Sequence, residues 1–125
     1  MGVILQNRNA LRWFSGASGR VYTYGQLDPN NLSLLTFSAG NCIFAKDNGD
    51  DMDIVYVGEA ESIYGLIINT TVWSVAKARF GADLIFCHPA SDPAARDAEK
   101  GDLTDQWQPP LNTTFGAETN DVRDW

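Results

Sequence analysis

The sequence predicts an α+β domain built on a small, mainly antiparallel sheet of about three central strands, flanked by helices and preceded by a β-hairpin. Three runs of strand length carry the apolar, β-branched and aromatic residues typical of buried strands, at 40–46, 53–57 and 84–88. Asn48-Gly49 separates the first two runs and is typical of a hairpin turn, so those strands are expected to be antiparallel neighbours. A chain of 125 residues is long enough for one core and too short for two.

The N-terminal part predicts a hairpin that extends the domain. The runs 12–14 and 20–24 flank a loop rich in Ser and Gly, and their aromatic alternation indicates a cover for one edge or face of the sheet. We therefore divide the single domain, 1–125, into a hairpin extension at 1–37, a core at 38–115 and a polar tail at 116–125, which we expect to be partly mobile.

Two stretches carry helix signals. The first spans 62–80, between a Ser cap and a Gly stop, with a break expected near Asn69-Thr70-Thr71. The second begins at Asp92-Pro93, an acidic cap followed by Pro at the first helical position, and runs to about Trp107.

Composition narrows the class of protein. Hydrophobic residues make up 44% and charged residues 20%, which is typical of a globular protein, and no apolar run reaches the length of a membrane span. No secretory signal is evident, so we expect a cytoplasmic protein with Cys42 and Cys87 reduced and buried, and a disulfide only if their strands are neighbours. Sixteen acidic residues against nine basic ones give a net charge of −7, which predicts weak or absent binding to nucleic acid unless a local basic patch exists.

Three motifs occur in an order and spacing that resemble the GIY-YIG nuclease superfamily. Tyr56-Val57-Gly58 stands in the place of the Tyr-Ile-Gly triplet, and the strand at 40–45 lies at the distance of the first motif. The stretch 96–103 leads into Pro109-Pro110-Leu111-Asn112, which is similar to the last helix and the Pro-Pro-x-Asn ending of that family. The resemblance covers roughly 38–115 and implies metal-dependent cutting of a nucleic-acid backbone.

The resemblance also implies which residues would form the site, and only some are present. Tyr56, Gly58 and Asn112 occupy retained family positions. The first-motif Tyr is replaced by Cys42, and the Arg and His of the first helix by Leu66 and Thr70. No Lys or Arg occurs between Lys46 and Lys77, so the Arg is missing in any alignment register.

The metal-binding Glu of the family falls on Lys100 in an ungapped count from the closing Asn. An ammonium group there would repel the divalent cation that such a reaction needs. Glu99 precedes it, but adjacent helical residues point about 100° apart, so Glu99 should face away from the pocket unless the helix bulges at Gly101. His88, the single histidine, is expected to have a structural role, and the acidic turn 47–53 is expected to be solvated rather than a calcium loop.

These observations predict a non-catalytic GIY-YIG-like domain that acts as a binding or interaction module. Its partner would be another protein or a second copy of the chain, and no cofactor, catalytic metal or membrane is expected. The binding residues would be Tyr56, Trp73, Lys100 and Asn112. Two alternatives remain open at this point. One is an active nuclease with a rearranged site, using Glu99, Tyr56 and Asn112 with Mg²⁺ or Mn²⁺, and the other is a small-molecule or nucleotide binder that reuses the pocket.

Overall fold

The computed structural model describes residues 11–112 and has an α+β fold. The expected tail at 116–125 lies outside the described residues. Within them, one 3-10 turn covers Leu32–Leu34. The strands and helices are β1 (Leu11–Ser15), β2 (Val21–Leu27), β3 (Gly40–Asp47), β4 (Met52–Ala60), α1 (Ile63–Asn69), α2 (Val72–Phe80), β5 (Leu84–Pro89) and α3 (Pro93–Trp107).

The strands form one antiparallel sheet with the order β1-β2-β5-β3-β4. The predicted N-terminal hairpin and the three predicted strands are therefore confirmed, but the expectation of about three strands is wrong, because the sheet has five. The hairpin does not only cover the sheet: β2 pairs with β5 over Gly25–Leu27 and so continues it. Without β2, the strand β5 would be an edge strand with unpaired backbone N–H and C=O groups. Pairing with β2 satisfies these groups.

Three helices cover the two faces of this sheet. Apolar residues of α1 and α2 pack on one face, with Cys42, Phe44 and Tyr56. Leu103 of α3 packs on the opposite face, with residues such as Ile43 and Phe86. We call these the α1/α2 face and the α3 face. Consecutive strand residues alternate between them, as the pleat of a sheet requires.

A β-bulge in β4 interrupts this alternation beside Tyr56. Phe44 pairs with Tyr56 and Ala45 with Ile54, so Val55 is an extra residue. As a result, both Val55 and Tyr56 contribute to the α1/α2 face. The bulge sets the phase in which the rest of β4 presents its side chains.

The helix boundaries follow the local sequence. Ser62 caps α1 by accepting a hydrogen bond from the Gly65 amide at 2.9 Å, and Gly81 ends α2 in the left-handed conformation with φ of 72°. Asp92 caps α3, whose first residue is Pro93. The break predicted near Thr70 separates α1 from α2. No helix within 11–112 is long and apolar enough to cross a membrane.

Candidate functional site

Tyr56 and Gly58, two of the residues that carry the GIY-YIG resemblance, lie on the α1/α2 face. Tyr56 is buried with its ring 5.4 Å from that of Phe44, and burial raises the pKa of its hydroxyl. A Cβ at Gly58 would collide with the Tyr56 ring, so the missing side chain at Gly58 leaves the space that this ring occupies. Both residues therefore have a packing role.

Asn112, a third residue that carries the resemblance, closes the free edge of the sheet. Its Oδ1 accepts from the Val57 amide at 2.7 Å, and its Nδ2 donates to the Val57 carbonyl oxygen at 2.8 Å. The amide thus imitates a neighbouring strand at β4, the edge of the sheet. Leu111 packs with the α1/α2 face although α3 lies on the other face, so the chain passes around this edge just before Asn112.

The substituted positions have structural contacts. Cys42 is fully buried, and Leu66 packs against the same apolar cluster. Thr70 accepts a hydrogen bond from the Val72 amide at 3.3 Å and donates one to the Leu66 carbonyl oxygen at 2.6 Å. Thr70 therefore stabilises the break between α1 and α2, where the family resemblance implies a His.

The two remaining expected binding residues are separated by the sheet architecture. Trp73 lies in the core under α2, in an edge-to-face contact with Phe44 at 4.9 Å, with the Lys77 ammonium 5.4 Å from its ring centroid. Lys100 belongs to α3 and is partly exposed. Trp73 therefore presents little surface to a ligand.

A row of polar side chains crosses the α3 face. Asn41 of β3 is in register with Glu59 of β4 and with His88 of β5, so the three share one face. Tyr24 of β2 continues the row, with its ring 5.3 Å from the His88 ring. Helix α3 covers this row with Arg96 and Glu99, which lie one turn apart.

Arg96 holds one end of the row. It is 3% exposed, and its Nε donates to Glu59 Oε1 at 2.9 Å. Its guanidinium also donates to the carbonyl oxygens of Ala90 and Ser91, each at 3.1 Å, which ties α3 to the end of β5. Asn41 donates to the Arg96 carbonyl at 3.0 Å, whereas its buried Oδ1 has no partner within the described part of the chain.

Glu99 lies at the other end, facing the sheet without any helix bulge. Helix α3 is continuous through Gly101, and Glu99 is buried on the face opposite Tyr56. Tyr24 donates to its Oε2 at 2.5 Å, and His88 Nε2 lies 3.5 Å from its Oε1. The structure therefore does not bring Glu99 together with Tyr56 and Asn112.

The hydrogen bond on one side of the His88 ring determines how its other nitrogen meets Glu99. His88 Nδ1 lies 3.0 Å from the Thr23 carbonyl oxygen, which can only accept, so Nδ1 carries a hydrogen. In the neutral ring, Nε2 would then be a bare acceptor facing a carboxylate, which is repulsive unless one of the two groups is protonated. Burial raises the pKa of Glu99, and the Tyr24 hydrogen bond and His88 lower it by less. Folding therefore favours the protonated form of Glu99 beneath α3.

Sequence reasoning did not anticipate this polar row. The available signal was the strand phase: Asn41 shares its face with Ile43 and Ala45, and Glu59 shares its face with Val57, so polar residues occur on a face that is otherwise apolar. Their convergence depends on the pairing of β5 between β2 and β3, which no local pattern specifies.

The acidic turn borders a separate small cavity. Its volume is about 230 Å³, and its lining comprises Arg12, Gln26, Asp47, Gly49, Asp50, Asp51, Met52 and Leu84. Asp47 Oδ1 accepts from the Gly49 amide at 2.8 Å, so one carboxylate is used within the turn itself. Residues 11–112 contain no group of three or more His, Cys, Asp and Glu residues placed to hold a metal ion.

Comparisons with protein-family models, with curated proteins and with solved structures give no match.

Proposed function

We propose that this chain is a non-catalytic binding domain on a degenerate GIY-YIG-like frame. The observation that carries the proposal is the engagement of Asn112, whose amide is bonded on both sides to the Val57 backbone. Glu99, the residue before Lys100 in the sequence, is likewise bonded to Tyr24, on the face of the sheet opposite Tyr56. Lys100 supplies a positive charge where that reaction would need a ligand for a cation.

The surface that supports binding is an apolar face of the hairpin. Trp13 is 65% exposed and Val21 57% exposed, and Leu11 is 37% exposed. Strand phase and the register of Ser15 opposite Val21 place all three on the same side of β1–β2. Large apolar side chains grouped on a surface favour contact with another protein. The proposed partner is therefore an apolar protein surface, in the reduced setting of the cytoplasm.

A nicking assay separates this proposal from the active-nuclease alternative. Supercoiled plasmid is incubated with the protein and Mg²⁺ or Mn²⁺, and calorimetry measures metal binding in parallel. We expect no nicking above the metal-only control, and weak binding to the duplex at physiological salt, because few phosphates could be neutralised. Metal-dependent nicking that is lost in Glu99→Gln would overturn the proposal and support the rearranged site.

Photo-crosslinking tests the hairpin surface itself. A photoreactive phenylalanine analogue replaces Trp13 in one variant and the exposed Asp50 in a control variant. We expect position 13 to link to one defined species, either a second copy or one protein, and the purified pair to lose affinity when Val21 is changed to Ser. Equal linkage from both positions, or an affinity insensitive to Val21→Ser, would contradict this surface assignment.

A further inference from the structure

The two cysteines lie directly opposite one another on adjacent strands. Cys42 of β3 pairs in register with Cys87 of β5, so their side chains are on the same face of the sheet. Both thiols are free and buried. The sequence predicted that a disulfide was possible only if the strands of the two cysteines were neighbours. In the structure β3 and β5 are neighbours.

The spacing of this rung suits a disulfide. The Ala90 amide donates to the Ala39 carbonyl oxygen at 3.1 Å, and antiparallel rungs alternate between bonded and non-bonded pairs. Ala39 and Ala90 are therefore a bonded pair, and Cys42 and Cys87 are the third pair after it along the two strands. They are accordingly a non-bonded pair, in which the two Cα atoms are about 4.5 Å apart. Disulfides span Cα separations of about 4.4–6.8 Å, so the bridge needs little movement of the backbone.

Glycine on either side leaves this pair accessible from one direction. On the neighbouring strands, Gly25 of β2 is paired with Cys87, and Gly58 of β4 is paired with Cys42. The Tyr56 ring fills the space over Gly58, whereas a Cβ at Gly25 would meet only the Cys87 carbonyl oxygen, at 4.0 Å. Cys87 is 5% exposed and Cys42 is 0% exposed. A small reagent therefore reaches Cys87 first, over Gly25.

We propose that Cys42 and Cys87 are a site of reversible covalent modification, forming a cross-strand disulfide when the protein meets a low-molecular-weight disulfide.

The reaction is thiol–disulfide exchange in two steps. The Cys87 thiolate attacks one sulfur of the small disulfide, which breaks the S–S bond and releases one small thiolate. The Cys42 thiolate then attacks Cys87 Sγ in the mixed disulfide and releases the second small thiolate. The two protons from the protein thiols end on the two small thiols, so the protein loses two electrons and the oxidant gains them.

Burial of the two thiols slows both the formation and the reduction of the disulfide. Burial raises the pKa of Cys87 to about 12 and raises that of Cys42 further above its usual range, so thiolate is scarce in the closed fold. Exchange is therefore slow and follows local opening near Gly25. The same enclosure protects the finished bridge from reductants.

The test treats the folded protein with cystamine and follows intact mass and free thiols. We expect loss of two hydrogens and a Cys42–Cys87 cross-linked peptide after digestion. Because the bridge closes the chain from 42 to 87, we expect the melting temperature to rise by about 5 °C or more, reversibly on treatment with dithiothreitol. A protein that stays fully reduced, or that accumulates a stable mixed disulfide at Cys87, would overturn the proposal.

Three variants identify the order of events. Cys42→Ala should trap the mixed disulfide at Cys87, and Cys87→Ala should leave Cys42 unreactive. Gly25→Val keeps both thiols but covers Cys87 with a side chain suited to a strand, and we expect it to slow oxidation by about tenfold or more. Equal rates for Gly25→Val and the parent, with circular dichroism showing the same fold, would exclude entry over Gly25 and overturn the route.

Discussion

Tyr24 Oη donates a hydrogen bond of 2.5 Å to Glu99 Oε2, which ties the hairpin strand β2 to helix α3. Tyr24 and Glu99 are 75 residues apart in the sequence, and both are buried. The bond explains why Glu99 faces the sheet: it shares the inner surface of α3 with Arg96 and Leu103, three residues before it and four after it. A buried carboxyl in such a position makes stability depend on pH.

Glu99→Gln should change that dependence. The pKa of Glu99 is raised from 4.5, mainly by burial, so its protonated form is favoured by folding. Its contribution to the free energy of unfolding is therefore complete below pH 4.5 and is lost as the pH rises through the raised value. Glutamine can still accept from Tyr24 and can donate to His88 Nε2, without a charge. We expect the variant to gain stability relative to the parent across this window, measured by urea unfolding at several pH values.

Tyr24→Phe is the matched control for this effect. It removes the hydrogen bond that lowers the pKa of Glu99, so the pH window should extend upwards rather than disappear. Parallel stability curves for the parent and Glu99→Gln would show that the carboxyl titrates alike in the folded and unfolded chains.

Asn112→Ala should expose the β4 edge. It removes two hydrogen bonds to the Val57 backbone, and we expect a loss of about 1–3 kcal/mol in the free energy of unfolding. The exposed backbone groups should also increase aggregation on heating, followed by light scattering. Asn30→Ala, at an exposed position, is the control. Equal behaviour of the two variants would mean that Asn112 does not protect the edge.

Gly16→Ala and Asp102→Ala should be strongly non-additive. Asp102 accepts from the Ser18 amide and hydroxyl at 2.8 and 2.7 Å and from the Tyr22 hydroxyl at 2.8 Å. A Cβ at Gly16 would collide with the Asp102 carboxylate and displace it. Each single change should lower the melting temperature, whereas Gly16→Ala should have little effect once Asp102 is Ala. Additive losses in this double-mutant cycle would contradict a shared contact.

Acid should weaken the same contact. The hydrogen bond from the Ser18 side chain lowers the pKa of Asp102, followed by the bond from the Ser18 amide. The stabilisation is therefore present above the usual Asp value of 3.8 and is lost as the pH falls through the lowered value. The effect of Asp102→Ala should accordingly shrink at the acid end of the stability curve.

Lys100→Glu should create affinity for Mn²⁺. The change replaces an ammonium with a carboxylate at the position where the family resemblance implies the metal ligand, which reverses the sign of the local interaction. We expect measurable Mn²⁺ heat in calorimetry for this variant and none for the parent. Lys77→Glu changes the same charge on α2 and serves as the control. Equal affinity in both variants, or Mn²⁺ binding by the parent, would contradict this interpretation of position 100.

Local chemistry made much of the fold predictable from the sequence. Asn48-Gly49 specified the β3–β4 hairpin, Asp92-Pro93 the start of α3, and Gly81 the end of α2, because each depends on a few neighbouring residues. The hairpin strands β1 and β2 were predicted, but their membership of the sheet was not, because β2 joins β5 through a pairing between distant segments that alternation alone cannot specify.

The polar row was less predictable than the fold. The positions that the resemblance implied, such as Tyr56 and Asn112, have packing and edge contacts in the structure. Asn41 and Arg96 were recognisable only as polar residues at positions where the pattern expects apolar ones. Their hydrogen bonds link β3, β4, α3 and the segment after β5. A network of that kind is defined by topology, which is the part of the structure that short sequence patterns describe least.

The position of β5 between β2 and β3 affects how the sheet can form while the chain is being synthesised. A ribosome releases both hairpins, β1–β2 and β3–β4, before it releases the strand that joins them. Until Leu84–Pro89 emerges, each hairpin carries an open edge that belongs to β5, and the nascent chain holds two halves of a sheet with no bond between them. Among the described strands, the one at the centre of the sheet is therefore the last to leave the ribosome, and the two hairpins can join into one sheet only after it has emerged.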